Sequence, residues 1–191
     1  GGENKGLPQV EGDGNTVKVG NANPLFSMGW SHTLSYKGVS LYFLIDCRYG
    51  GNILSQTQAD MDMYGVSKTT ADARDDGYIM LEGHRVENVK GFYKNVVGGR
   101  AGVTEYYMYD ATNARLRELS LNYQLPAGWI AKTKVFKDIQ LSFVGRNLFF
   151  IYKKAPFDPD LVLSTGNDNQ GIEVYGMPTT RSWGFSIKCE F

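Results

Sequence analysis

The chain has 191 residues, and its 20 basic side chains are balanced by 20 acidic ones. This balance argues against a nucleic-acid partner and against a polybasic membrane anchor. An apolar content of 42% with 21% charged residues excludes a disordered chain, and no apolar run approaches the roughly 18 residues of a membrane-spanning helix. The 23 glycines, the 6 prolines and an aromatic content of 13% favour a β protein.

The first half of the chain contains one clear β-hairpin. Residues 1–24 are rich in Gly, Asn and polar side chains and are predicted to form a loop, with no signal-peptide pattern; either a leader was removed or the chain continues a longer protein. From Phe26 to Tyr36 apolar and small polar residues alternate strictly. The alternation restarts at Val39 after Lys37-Gly38, which predicts a hairpin over residues 25–49.

The second half is predicted to contain three more strands between two long loops. Residues 50–113 lose the alternation and are predicted to be a long loop, with a short helix near Ile53–Tyr64. Alternation returns in a strand pair over residues 114–147 and in a terminal strand over residues 180–191, separated by a second loop over residues 148–179. The fold class is therefore all-β, an antiparallel up-and-down meander of about five long strands.

Alternation alone fits either a soluble β-sandwich or a membrane barrel. Strands of soluble sheets average about 5–6 residues, whereas tilted membrane strands need about 9–11, and here three strands approach eleven. Short turns also alternate with long loops, as in outer-membrane barrels. These features favour the membrane barrel, and a soluble extracellular β-sandwich that binds glycans is the alternative.

Several motifs add to this pattern. They are, in chain order, Val19–Pro24 (VGNANP), Asp46–Gly51 (DCRYGG), Asn113–Pro126 (NARLRELSLNYQLP), Gly145–Phe149 (GRNLF), Ala155–Asp160 (APFDPD) and the closing stretch Pro178–Phe191. Together they resemble the C-terminal part of SusC/RagA-like TonB-linked outer-membrane transporters, where similar stretches read GNPNP, D-x-R-x-G-G, LRELSLGYTLP, GRNLF and FDPD. The resemblance covers nearly the whole chain.

This resemblance implies a fold, a function and a set of partners. The chain would be the C-terminal segment of a barrel of about 22 strands in the cell outer membrane, crossing the lipid bilayer several times. The whole transporter would import oligosaccharides or peptides with a SusD-like surface lipoprotein, and would contact TonB through an N-terminal part that this sequence does not match. No enzyme activity, cofactor or nucleic-acid partner is expected, and this segment alone should not transport anything.

Few residues suggest chemistry. His32 lies on the apolar register of a strand, and His84 has no metal-ligand spacing. Asp60 and Asp62 imitate the start of an EF-hand loop, but Ala71 stands where its glutamate should be. Asp158, Asp160 and Asp168 could hold Ca²⁺, although turn formation is the simpler explanation. We expect no metal site.

Aromatic residues near the loops form the remaining candidates. Tyr106, Tyr107, Tyr109 and Tyr152 are either the aromatic girdle of a barrel or a surface for cargo or the lid protein, with Asp158 and Asp160 as further possible contacts.

Three further expectations concern the strands. Asp46, Arg48, Glu118 and Arg146 fall on the lumen register. Trp183, Phe185, Ile187 and Phe191 resemble a barrel-assembly signal. Cys47 and Cys189 are expected to remain unpaired, because an up-and-down order places them at opposite ends of strands that are not neighbours.

Overall fold

The computed structural model of the protein describes residues 6–10, 17–164, 166 and 169–191. Two compact units form within them. The sheet unit comprises Pro24–Gly50, Ala111–Pro159 and Pro178–Phe191. The insertion unit comprises Gly51–Asp110, Asp160–Met177 and the described part of Gly1–Asn23.

The elements follow one another along the chain. The strands are β1 Phe26–Tyr36, β2 Val39–Tyr49, β3 Asn52–Ser55, β4 Ile79–Leu81, β5 His84–Val86, β6 Met108–Asp110, β7 Asn113–Gln124, β8 Asp138–Lys153, β9 Ile172–Glu173 and β10 Ser182–Glu190. The helices are α1 Gln56–Met63, α2 Lys68–Asp76, α3 Val89–Gly91 and α4 Ala127–Ile130, with a π-helix at Phe92–Val97 and 3-10 turns at Thr104–Tyr107 and Ala131–Thr133.

The sheet unit contains one five-stranded antiparallel sheet in the order β1-β2-β7-β8-β10. These are the five long strands that alternation predicts, and their order in space is their order in the chain, so β1 and β10 are the edges. The turn between β1 and β2 consists of Lys37 and Gly38, with φ of 46° and 82°. Two positive φ angles belong to the tight turns that match the twist of a hairpin.

The fourth strand is longer than predicted. The sequence predicts that this strand ends before a loop that starts at residue 148. In the structure β8 is 16 residues long and ends at Lys153. The pairing of β7 with β8 shifts register between Ala114 and Arg115 and between Leu116 and Glu118, and Asn147 adopts a φ of 52°. A bulge adds an unpaired residue and interrupts the alternation of apolar and polar side chains. The second half of the strand therefore lacks the alternating pattern by which strands are predicted.

The prediction of a loop over residues 50–113 is wrong for most of that stretch. The insertion unit has its own buried core, which includes Ala59, Phe92, Val97 and Tyr107. The predicted short helix is present as α1. Ser55 is its N-cap, and the Ser55 side chain accepts a hydrogen bond from the Gln58 N–H. The helices and strands here are too short to show a periodic pattern of apolar residues. The core residues also come from segments that are distant in the sequence.

Segments from three parts of the chain meet in the small sheet of the insertion unit. β3 pairs antiparallel with β6 and parallel with β9. The Asn52 N–H also donates to the carbonyl of Asn21 at 2.7 Å. Gly171 has a φ of 78°, and a Cβ there would lie 2.5 Å from the Cβ of Ala22. Only glycine suits this backbone, which lets the segment before β1 pack against β3 and β9.

Candidate functional site

The two faces of the long sheet differ in chemistry. One row of directly paired residues crosses all five strands on the first face: Leu34, Leu41, Leu121, Phe143 and Phe185. The adjacent row, on the second face, is Ser35, Ser40, Asn122, Ser142 and Ser186. The first face is thus apolar along a row that crosses all five strands. The second is polar along the adjacent row, with a few apolar side chains such as Leu44 and Val144 elsewhere on it.

Large side chains of the apolar face are exposed in the part of the chain that the structure describes. Leu34, Phe143 and Phe185 are 52%, 46% and 65% exposed, and Trp30 and Trp183 reach 55% and 60%. An exposed apolar surface that extends across five strands marks a site of contact with membrane or protein. A β-sandwich would bury this face against a second sheet, so the exposure of these side chains counts against the sandwich interpretation.

The polar face carries two ion pairs. Asp46 accepts hydrogen bonds from Nε and Nη2 of Arg117 at 3.0 and 2.9 Å. Glu118 faces Arg146 directly across β7 and β8 and accepts from its Nε at 3.1 Å. Both pairs are partly exposed, so each contributes little to stability. Asp46, Glu118 and Arg146 therefore lie on the face to which the sequence assigned them.

Arg117 was missed by the sequence analysis, and a bulge explains why. Its odd number places it on the apolar register, but Leu44 pairs with Glu118 whereas Ile45 pairs with Leu116. Arg117 is thus the extra residue of a bulge in β7, which turns its side chain to Asp46 on the polar face. The signal in the sequence is that Arg115 and Arg117 both fall on the apolar register of Leu119, where a regular strand would place two charges on its apolar face.

A second arginine of β7 forms a buried cluster within the sheet unit. Nη2 of Arg115 donates to Asp158 at 2.7 Å and to the hydroxyl of Thr179 at 2.6 Å, and the Thr179 hydroxyl donates to Asp158. The guanidinium lies 3.9 Å from the centre of the Phe150 ring. The side chains of Arg115 and Asp158 are only 4% and 9% exposed.

This cluster changes the interpretation of Asp158. Its carboxylate accepts hydrogen bonds from Arg115 and Thr179, and its side chain is largely buried. Asp160 is partly buried, and Asp168 lies outside the described residues. Among the residues that the structure describes, no group of three or more His, Cys, Asp or Glu side chains is placed to hold a metal ion.

The tyrosines of the insertion unit divide into buried and exposed ones. Tyr107 is 1% exposed and its hydroxyl donates to Asp62 at 3.1 Å, so it is a core residue, and the prediction that it contacts cargo is not supported. Tyr109 packs against the same core. Tyr106 is 37% exposed and contacts the rings of Phe92 and Tyr107.

Burial changes the acidity of these tyrosines. The pKa of Tyr107 is raised, first by burial and then by the charge and hydrogen bond of Asp62. Burial also raises the pKa of Tyr93, as does its hydrogen bond with Tyr106. These hydroxyls therefore stay protonated well above the ordinary range of tyrosine, and they act as hydrogen-bond donors in the core.

A buried carboxylate joins the two main segments of the insertion unit. Glu173 of β9 is 5% exposed. It accepts from the hydroxyls of Ser55 and Thr57 at 2.8 and 2.6 Å and from the Gly176 N–H at 3.1 Å. Ser55 caps α1 and Thr57 lies in its first turn, where a negative charge is favourable because the helix dipole presents its positive end. Nothing in the sequence pattern around Glu173 pointed to this contact.

The remaining predicted residues lie on the sheet unit. Tyr152 of β8 is 50% exposed. Trp183, Phe185 and Ile187 alternate along β10 and are 58–65% exposed, while the Phe191 ring contacts Phe136 at 5.0 Å.

The histidines and cysteines lie apart from any cluster that could carry chemistry. His32 is opposite Phe43 in the β1–β2 pair, and His84 is exposed in β5. Cys47 lies on β2 and Cys189 on β10, and both are free, as the strand order predicts.

None of the helices in the described ranges is long and apolar enough to cross a bilayer.

Comparison with known proteins gives one curated relative and several solved structures. TonB-dependent receptor P3 of Formosa agariphila is 25% identical over 178 residues, which is 91% of this chain and 17% of that protein. The RagAB peptide importer in its closed–closed state has a TM-score of 0.64 at 18% identity, covering 97% of this chain and 20% of the importer chain. Its open–open state gives 0.60 at 20% identity, covering 96% and 19%. No family model matches the chain.

The chain therefore has the fold of part of the RagAB importer chain, and it spans about a fifth of the length of the proteins it matches. The resemblance to the SusC/RagA-like TonB-dependent transporters that the motifs predict is confirmed.

Proposed function

We propose that the chain forms a section of the wall of an outer-membrane β-barrel, the C-terminal segment of about 22 strands in a TonB-dependent transporter. The observation that carries this proposal is the pair of adjacent rows, one apolar and one polar, that cross all five strands. Eleven residues in β1 and in β2 at about 3.3 Å each, tilted near 40°, span about 28 Å, enough for an apolar band of roughly 25 Å.

The edges of the sheet support the same proposal. β1 and β10 each have a neighbour on one side only. Within a bilayer an open edge is too costly, because its backbone N–H and C=O groups have no water to bond. Further strands of a longer chain would pair with both edges and close the barrel, with the apolar face toward lipid and the polar face toward the lumen.

For the complete protein we propose TonB-dependent import of an oligosaccharide or a peptide, together with a SusD-like surface lipoprotein. The similarity to a TonB-dependent receptor and to a peptide importer supports this proposal. Tyr106, Tyr152 and Asp160 remain the candidates for contact with cargo or lipoprotein. The segment would contribute a wall and outer surface, with no covalent chemistry.

We also assign a role in barrel assembly to β10. Trp183, Phe185 and Ile187 alternate on the apolar face, and Phe191 follows on the same register. Alternating large apolar side chains at the edge of the sheet suit recognition by assembly machinery that pairs with a free strand. Replacement of Phe185 and Ile187 by serine should reduce the amount of complete protein found in the outer membrane.

The wall proposal can be tested with single cysteines in the complete protein, in a background where Cys47 and Cys189 are alanine. A fluorophore on Phe185→Cys should be quenched by lipids that carry a quencher in their acyl chains. A fluorophore on the neighbouring Ser186→Cys should respond to a water-soluble quencher. Equal responses at both positions would contradict the assignment of faces. A monodisperse protein in buffer without detergent would favour the soluble β-sandwich.

A further inference from the structure

Two exposed tyrosines of the insertion unit adjoin α1, and one of them is hydrogen-bonded to a carboxylate of that helix. Tyr64 follows α1 and is 75% exposed, and Tyr175 follows β9 and is 62% exposed. The Tyr175 hydroxyl donates to Asp60 of α1 at 2.5 Å. We call Asp60, Tyr64, Arg100 and Tyr175 the tyrosine patch. Arg100 is exposed, and its positive charge partly opposes the rise in the pKa of Tyr175.

The backbone of Tyr175 is held in an unusual conformation. Its φ of 49° lies in the left-handed region, which is rare and strained for an aromatic residue. The Tyr175 N–H donates to the hydroxyl of Thr57 at 2.6 Å. The same hydroxyl donates to buried Glu173, which also accepts from the next N–H, that of Gly176. A buried network thus fixes an exposed ring at a strained position, which is typical of a functional site.

The side chain of Tyr175 is fixed as well. Asp60 accepts from the Tyr175 hydroxyl and, through its other oxygen, from the Gln56 amide at 2.9 Å. The hydrogen bond to Asp60 is the main reason why the pKa of Tyr175 is raised, so the ring stays neutral. Each carboxylate oxygen can still accept another hydrogen bond from a ligand. A ring with little freedom to lose is favourable for binding, because less entropy is lost on contact.

We propose that the tyrosine patch binds a neutral oligosaccharide. The faces of a sugar ring carry C–H groups that pack against aromatic rings, and its hydroxyls both donate and accept hydrogen bonds. Tyr64 and Tyr175 supply the rings, Asp60 an acceptor and Arg100 a donor. The charges of Asp60 and Arg100 balance, which disfavours a strongly charged ligand.

A peptide fits this surface less well. Extended peptides gain affinity by adding their backbone to the open edge of a sheet and by placing alternate side chains in pockets. The tyrosine patch consists of side chains from a helix and two loops, so it offers rings and hydrogen-bonding groups without such an edge. The surface therefore favours a sugar over a peptide.

This inference rests on the proposed function, since it names the class of cargo that the outer surface of the transporter would contact. It requires that α1 and the segment after β9 remain in contact. The hydrogen bonds that Glu173 and Asp60 accept hold these two segments together.

The test uses the complete protein in detergent micelles and two sets of probes. One is a panel of neutral oligosaccharides of four to eight units from common plant and algal polysaccharides, and the other is a set of unstructured peptides of similar mass. Tyr64→Ala and Tyr175→Ala should each weaken binding of the preferred oligosaccharide at least tenfold. Tyr64→Phe, which keeps the ring, should stay within threefold of the unchanged protein. Met80→Ala, an exposed apolar change elsewhere in the insertion unit, should bind normally.

Tyr64 makes this test robust, because it is exposed and its replacement does not touch the buried network. Binding of peptides without sugars, absence of binding to the whole oligosaccharide panel, or full binding by Tyr64→Ala would each overturn the inference. The amount of protein integrated in the outer membrane is measured in the same cultures. Failure to integrate would contradict the proposed function, whereas normal integration without sugar binding would contradict only the tyrosine patch.

Discussion

Gly145 and Trp183 lie directly opposite each other on β8 and β10, and the indole occupies the space where a side chain at residue 145 would begin. A Cβ on Gly145 would lie 2.5 Å from the indole and 2.8 Å from a methyl group of Leu148. The ring of Phe143 stacks on the indole at 5.5 Å. Glycine at this position therefore allows the Trp183 indole to lie over β8. The indole in turn covers the backbone that the missing side chain leaves exposed.

The first prediction follows from this packing. Gly145→Ala should displace the indole and lower the free energy of unfolding by about 1–3 kcal/mol, the usual cost of overpacking. The measurement is urea unfolding of the complete protein in micelles, followed by tryptophan fluorescence. Gly29→Ala on β1 is the control, because its nearest contact would be Leu44 at 3.9 Å. An equal effect of both substitutions would show that the close approach of Trp183 is not the cause.

The sequence was sufficient to predict the five long strands and their order. Alternation marks them because each strand has one apolar and one polar face, and the turn residues Lys37 and Gly38 mark the hairpin. The sequence analysis missed the bulges near Leu116 and Asn147, because one extra residue changes the register. For that reason the second half of β8 and the place of Arg117 on the polar face became visible only in the structure. Near Leu116 the available signal was the pair of arginines on the apolar register.

The second prediction concerns the apolar face. Phe43 lies at the middle of β2, opposite His32 and Leu119. If this face contacts lipid, Phe43→Arg should destabilise the barrel by about 2–4 kcal/mol near the bilayer midplane. Ser142→Arg on the polar face is the matched control and should have a small effect. The amount of folded, heat-modifiable complete protein in outer-membrane fractions measures both, and equal assembly of the two variants would reverse the assignment of faces.

The third prediction concerns alkaline pH. Burial and Asp62 raise the pKa of Tyr107 in the folded protein above the value of about 10 in the unfolded chain. Above about pH 10 the unfolded chain releases this proton while the folded protein keeps it, so stability falls as pH rises further. Below that pH the contribution is complete.

Ionisation of tyrosine, followed by phenolate absorbance together with near-ultraviolet circular dichroism, measures this effect. The signal of the insertion unit should be lost in a cooperative step above pH 10 in the unchanged protein. In Tyr107→Phe the free energy of unfolding should fall less steeply with rising pH, because residue 107 no longer has a proton to lose. The same substitution removes the hydrogen bond to Asp62, which lowers stability at every pH. The control is Tyr64→Phe, at an exposed position. An identical alkaline transition in all three proteins would rule out Tyr107 as its cause.

The candidate site was much harder to predict than the strands. Tyr106 to Tyr109 were visible as an aromatic cluster, but sequence alone does not separate buried Tyr107 from exposed Tyr106. Tyr64 and Tyr175 stand in stretches without periodicity, and they are brought together by contacts between segments more than a hundred residues apart, such as that of Thr57 with Glu173. Such contacts depend on the tertiary fold and leave no local pattern.

The last prediction concerns the buried pair of Arg115 and Asp158. Removal of one partner leaves the other charge buried without compensation, which typically costs about 3–5 kcal/mol. Asp158→Ala should therefore lower the free energy of unfolding by an amount in that range, and Thr179→Val should cost less because it removes a neutral partner. Lys68 and Asp72 form an exposed pair on α2, with side chains 86% and 57% exposed, so Asp72→Ala is the control and should cost well under 1 kcal/mol.

A double-mutant cycle separates the ion pair from packing. Arg115→Met keeps an apolar chain beside Phe150, whose ring the guanidinium contacts. If the pair acts as a unit, Arg115→Met together with Asp158→Ala should be clearly less destabilising than the sum of the single variants, because no lone charge remains buried. Strict additivity would mean that the two side chains act independently, and the buried cluster would then be two separate contacts that share a location.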